Sequence, residues 1–137
     1  MGMYTELVLA CEVEDNYQDC IRPIECLLMN RIDCTYPDHE FFKSPRSKYM
    51  LNSDSYYFDG ETHSNLKYDI QVESYYLTIR CNLKNYDNEI EKFLNWLAPY
   101  ILSYGFLGYY RYEEHENPTL IYIDKFHNHK ITYKGVS

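Results

Sequence analysis

With 137 residues, 45% of them apolar, the chain has room for one domain with a real core and little room for two. Thirteen basic against 21 acidic side chains leave a net charge of −8, which disfavours direct contact with a long nucleic acid unless cations gather on one face. No apolar run approaches the ~20 residues of a membrane span, and no basic stretch followed by an apolar one reads as a leader, so the cytoplasm is the expected compartment.

The first element is a strand. Leu7, Leu9, Cys11 and Val13 alternate with Glu6, Val8, Ala10 and Glu12. Asp15 or Asn16 can cap a helix that follows, with Tyr17, Cys20, Ile21, Ile24, Leu27 and Leu28 on one face. Pro23 either kinks that helix or opens a shorter one from Pro23 to Asn30. Residues 33 to 48, with two prolines and no period, read as a loop. A short strand is expected over Ser55–Phe58, then a turn containing Gly60.

Residues 74 to 83 give the clearest alternation, with Tyr75, Leu77, Ile79, Cys81 and Leu83 on one side and Ser74, Tyr76, Thr78, Arg80 and Asn82 on the other. Ile90, Phe93, Leu94, Leu97 and Ile101 make the stripe of a second helix. Asp87 or Asn88 can cap it, Asn88 and Glu91 have capping-box spacing, Pro99 should bend its last turns and Gly105 should end it. A hairpin follows, Phe106 to Glu113 and Thr119 to Asp124 around the loop HENP, and Lys130 to Tyr133 can add an edge strand. The predicted fold is α+β in a single domain: an antiparallel sheet with two helices on one face, in ferredoxin-like split βαβ order, with extra C-terminal strands.

The five cysteines are odd in number and contain no CxxC, which speaks against a disulfide framework and a zinc site and favours buried thiols acting as small apolar residues. His127-Asn128-His129 could place two imidazoles on one side of a strand, but without a ββα-metal context it reads as a polar turn. Glu113, Glu114, His115 and Glu116, and likewise Asp54, Asp59, Glu61 and His63, read as solvated loop rather than acid/base clusters. Phosphate loops, GxSxG and HExxH are absent from the sequence. No catalytic residue, metal or cofactor is expected.

Recognition is the better prospect. If Leu77 and Ile79 face the core, Tyr76, Thr78 and Arg80 face outward, and either Tyr110 with Tyr112 or Tyr109 with Arg111 and Glu113 join them. Two sets of candidate residues follow. A protein-binding edge would use Tyr109, Tyr112, Glu113, Glu114, Glu116 and Asp124, carboxylates facing a basic target beside tyrosine anchors. A ligand face would use Tyr76, Arg80, Tyr109 and Arg111 to hold a small nucleotide, within a homo-oligomer.

SYYF at 55–58, NLKNYDNEIEKFLNWLAPYI at 82–101 and GYYRYEEHENPTLIYI at 108–123, with the opening MYTELVLACEV, look like small proteins encoded by tailed phages and prophages of Firmicutes. The resemblance covers a third to half of the chain and carries no catalytic residues with it. It implies a setting: small acidic phage proteins often block a bacterial defence system in the infected host. Many do so as anti-CRISPR proteins that occlude a nuclease complex. Others sequester the nucleotide signals that defence systems make.

Overall fold

In the computed structural model, the structure describes residues 4–29, 31, 33–51, 64–124 and 128–135. The strand expected at Ser55–Phe58 and the turn at Gly60 lie outside them. The first strand, β1 (Thr5–Glu14), runs down the middle of an antiparallel sheet of order β2-β3-β1-β4-β5-β6. The others are β2 (Asn65–Asp69), β3 (Ser74–Leu83), β4 (Gly105–Tyr112), β5 (Thr119–Asp124) and β6 (Lys130–Gly135). β3 is thus inserted between β1 and β2, and β4 returns to the other side of β1.

Alternation decides which face is buried. Leu7, Leu9, Cys11 and Val13 pair with Cys81, Ile79, Leu77 and Tyr75 across β1 and β3, and seven of these eight side chains are buried. Leu107, Ile121 and Ile123 extend the apolar face through β4 and β5. Helices cover this side, and their Ile21, Ile24, Leu27, Phe41, Ile90, Phe93 and Leu94 complete the core. Phe41 and Phe93 meet edge to face with centroids 5.1 Å apart.

The helical layer differs in detail from the sequence reading. Asn16 does cap the first helical segment, its side chain accepting from the Asp19 N–H at 3.3 Å. That segment, Tyr17–Ile21, is a π-helical turn, and α1 (Arg22–Met29) continues directly from it, with Pro23, which has no N–H to donate, just after the change of hydrogen-bond pattern. The stretch read as loop holds two one-turn helices, α2 (Glu40–Lys43) and α3 (Ser47–Met50). They are stabilised by burying Phe41 and Met50, a tertiary cause that no local period announces.

The long helix α4 is Glu89–Leu97. Asn88 stands at its N-cap in the left-handed conformation, φ 57°, and its side chain makes no capping bond. Asn85 does that work instead, accepting from the Ile90 N–H at 3.0 Å, so the expected capping box is replaced. Pro99 lies in a 3₁₀ turn, Ala98–Tyr100, that ends the helix. Gly105 opens β4 rather than closing the helix.

The reading of all five cysteines as thiols is corrected too. Cys26, in the last turns of α1, is bonded to Cys34 with Cα atoms 6.3 Å apart, while Cys11, Cys20 and Cys81 are free and buried. A single bridge needs neither an even count nor a CxxC, only a chain that turns back on its helix within eight residues.

Candidate functional site

The face of the sheet opposite the helices carries the candidate site. Cross-strand register builds it in rows, since directly opposed residues share a face. Arg80, Val8, Tyr109, Leu120 and Lys134 make one row across β3, β1, β4, β5 and β6. Asn82, Glu6 and Arg111 make the row beside it. Thr78 opposes Ala10 and Tyr76 opposes Glu12 further along.

The parity left open in the sequence is therefore decided. Tyr109 and Arg111 share the outer face with Tyr76, Thr78 and Arg80, whereas Tyr110 and Tyr112 lie on the helical side, opposite Leu7 and Thr5. With strands ~4.8 Å apart, Arg80 and Tyr109 flank Val8 at a backbone separation of about 10 Å, and Tyr76 lies roughly 13 Å along β3 from Arg80. All four residues of the predicted ligand face are brought onto one surface. Tyr76 is 40% exposed and Phe106 56%, and Phe106 packs edge to face on Tyr122 at 5.6 Å.

The six residues of the predicted protein-binding edge are not gathered in the same way. Tyr109 lies on the outer face and Tyr112 on the other, where its ring meets His115 at 5.3 Å. Glu114 and Glu116 are exposed at the hairpin tip. Glu113 is tied down: its carboxylate accepts from the Tyr4 N–H at 3.1 Å, and its own N–H donates to the Tyr4 carbonyl at 3.0 Å. Asp124 lies at the far end of β5, opposite Lys130, about 17 Å from the start of that strand.

Electrostatically the face is mixed. Lys67, Arg80, Arg111, Lys130 and Lys134 are interspersed with Glu6, Glu12, Glu14, Asp69 and Asp124. Arg111 donates to the His115 carbonyl, and Glu12 accepts from the Ser74 hydroxyl at 2.8 Å. The Glu12 carboxylate, and after it burial, pushes the Tyr76 phenol above its ordinary value, so the ring stays a neutral donor. Relief is shallow: one open hollow of about 350 Å³ between Glu6, Tyr109, Arg111 and Pro118, and another of about 230 Å³ bounded by Glu12, Tyr76, Thr78 and Ser103.

Reactive groups are held away from this surface. Burial pushes the Cys11 and Cys20 thiols up to about 12 and the Cys81 thiol higher still, which suppresses the thiolate a nucleophile needs. Among the described residues no three His, Cys, Asp or Glu side chains come together as a metal site. His127 lies outside those residues, and Asn128 and His129 both have positive φ in the turn before β6. Sequence reasoning missed Val8 at the centre of the face and the Phe106–Tyr122 pair. Only strand pairing, which crosses long stretches of chain, assembles them.

No protein-family model matches the chain, and neither a curated protein nor a solved structure matches it. Among the described residues no helix is long and apolar enough to cross a membrane.

Proposed function

We propose that the chain is a binding protein that docks its open sheet face onto a protein of a bacterial defence system and inhibits it, in the phage setting that the resemblance implies. The observation that supports this reading is the co-facial placement of Tyr76, Tyr109, Arg80 and Arg111 on the side of the sheet away from the helices. Tyr and Arg are the residues that most often anchor protein interfaces, because they offer large contact area and directed donors at small entropic cost.

Shape favours a macromolecule. Small-molecule sites enclose most of their ligand in a concavity, whereas this face is broad with shallow hollows. Six strands ~4.8 Å apart and ~20 Å long offer roughly 500 Å², which the hairpin tip extends toward the ~800 Å² per partner of a standard interface. The interspersed charges suit a partner of complementary pattern better than a uniformly anionic polymer. A second reading, a nucleotide sponge, draws on one detail: Arg80 and Tyr109 flank apolar Val8 at a spacing that admits a base.

Expression in bacteria that carry a nuclease-based defence tests the proposal. The chain should restore plating of a restricted phage. An Arg80→Glu, Tyr109→Ala double variant, folded by circular dichroism, should lose that rescue, while Glu114→Gln with Glu116→Gln should keep most of it. Rescue that survives the face variant and disappears with the tip variant would move the interface to the hairpin tip. Calorimetry with mono- and dinucleotides separates the second reading, since saturable binding abolished by the face variant would establish a ligand in place of a protein.

A further inference from the structure

A different region carries an independent inference, at the end of the sheet where β1 begins and β3 ends. There a cavity of about 320 Å³ is lined by Tyr4, Arg46, Tyr49, Asn82, Leu83 and Lys84. In a chain of net charge −8, the described lining holds two cations and no carboxylate. Local concentration of positive charge against the sign of the whole molecule is what an anion site requires.

The two cations are in different states. Arg46 is committed, its Nη1 2.9 Å from Asp87 and 3.4 Å from Glu89, with its guanidinium 4.9 Å from the centre of the Tyr86 ring. One guanidinium is shared there between two carboxylates, so Lys84 is the cation that an incoming anion meets. Lys84 is half-buried, forms no ion pair among the described residues, and holds its ammonium 5.7 Å from the centre of the Tyr4 ring. With its ammonium near a ring and no ion pair among the described residues, Lys84 has donors to offer an anion.

The rest of the lining selects what the anion is attached to. Tyr4 and Tyr49 present aromatic rings, Tyr49 with 61% of its surface exposed at the rim, and Asn82 and Leu83 are the buried part of the wall. Rings accept a planar group by stacking, and the cavity volume suits a single base with its sugar and phosphate. We propose that this cavity binds a nucleoside monophosphate, with its base against the tyrosine rings and its phosphate on Lys84. The site does not depend on the docking reading, because Arg46, Tyr49 and Lys84 are not among the residues that carry the docking face, and they respond to different substitutions.

The test is a titration of the full chain with AMP, GMP, CMP and UMP by calorimetry or amide chemical shifts. Inorganic phosphate, adenosine and a phosphotyrosine peptide serve as partial ligands. At least one monophosphate should bind saturably, with shifts centred on Asn82 to Lys84, more tightly than phosphate or adenosine alone. Lys84→Gln and Tyr49→Ala should each weaken it by roughly tenfold, and Arg80→Glu should leave it unchanged. Tyr49 is exposed enough that its variant will fold even if the other does not. The proposal is overturned by the absence of saturable binding at millimolar nucleotide, by phosphate binding as tightly as the nucleotide, or by unchanged affinity in Tyr49→Ala. Tighter binding of the phosphotyrosine peptide would equally overturn it, in favour of a protein ligand.

Discussion

The guanidinium of Arg46 lies 3.4 Å from the carboxylate of Glu89, a side chain with no exposed surface, and the same Nη1 reaches Asp87 at 2.9 Å. Glu89 also accepts from the Asp87 N–H at 3.0 Å. The pair thus fixes the entry to α4 and ties it to α3, whose N-cap is Arg46. Removing one partner leaves a buried charge uncompensated. With Arg46 about a third exposed, Arg46→Ala should cost about 2 kcal/mol, less than the ~3–5 kcal/mol of a fully buried pair. Arg46→Met combined with Glu89→Gln should recover part of that loss. Denaturant midpoints at constant m measure both.

Gly108 faces a harder constraint. A Cβ there would lie 2.1 Å from the Val8 carbonyl oxygen and 2.8 Å from the Leu9 Cα, on the strand that β4 pairs with. Both obstacles are backbone and cannot swing aside. Gly108→Ala should destabilise by about 3 kcal/mol or more, or fail to fold. Gly135→Ala, with nothing within 4 Å, should change stability by less than about 0.5 kcal/mol. Equal effects at the two glycines, measured by thermal or urea unfolding, would refute the close-approach argument.

The buried thiols predict an alkaline limit. In the unfolded chain Cys11 and Cys20 release their protons near 9, whereas in the folded protein burial holds them up to about 12. Between those values the unfolded state binds fewer protons, so stability is full below pH 9 and falls as pH rises through the folded values. Burial, and then the Glu91 charge, likewise holds the Tyr133 phenol high, which adds a decline of the same sign above pH 10. Urea unfolding from pH 7 to 11 should be flat at first and then descend. Cys20→Ala should make the descent shallower.

Native labelling checks the same thiols by another route. Iodoacetamide at pH 7.5 should leave Cys11, Cys20 and Cys81 unmodified in the folded protein and alkylate all three in urea. Rapid alkylation of the native chain would mean that the sheet opens far more often than its packing implies.

The Cys26–Cys34 bridge closes a short loop, so reduction should lower stability by about 2–3 kcal/mol at most. It anchors the chain leading into α2, on the helical side. Partner binding through the open face should therefore survive reduction, which a binding assay with and without dithiothreitol reads directly.

Much of this was legible in the residues because alternation is local. β1, β3 and the hairpin announced themselves through neighbours two apart, and the stripe of α4 through neighbours three and four apart. The edge strand β2 was missed because Asn65–Asp69 (NLKYD) buries little and is held by pairing with β3 rather than by its own pattern. α2 and α3 were missed for a related reason, since Phe41 and Met50 earn their helices from packing. At the candidate face, sequence offered two parities for the hairpin tyrosines and no means to choose. The choice belongs to the register of β1 on β4, where Val8 meets Tyr109.

Strand order also governs when the molecule can form. β1 leaves the ribosome first, yet both strands that must flank it, beginning at Ser74 and Gly105, are made much later. At synthesis rates of ~5–20 residues per second, its apolar residues wait several seconds for their sheet partners. Contacts so distant along the chain also slow the folding search itself. The nascent protein should therefore be most vulnerable to proteases and holdases while β1 is unpaired, and should become resistant only after the β4–β5 hairpin has emerged.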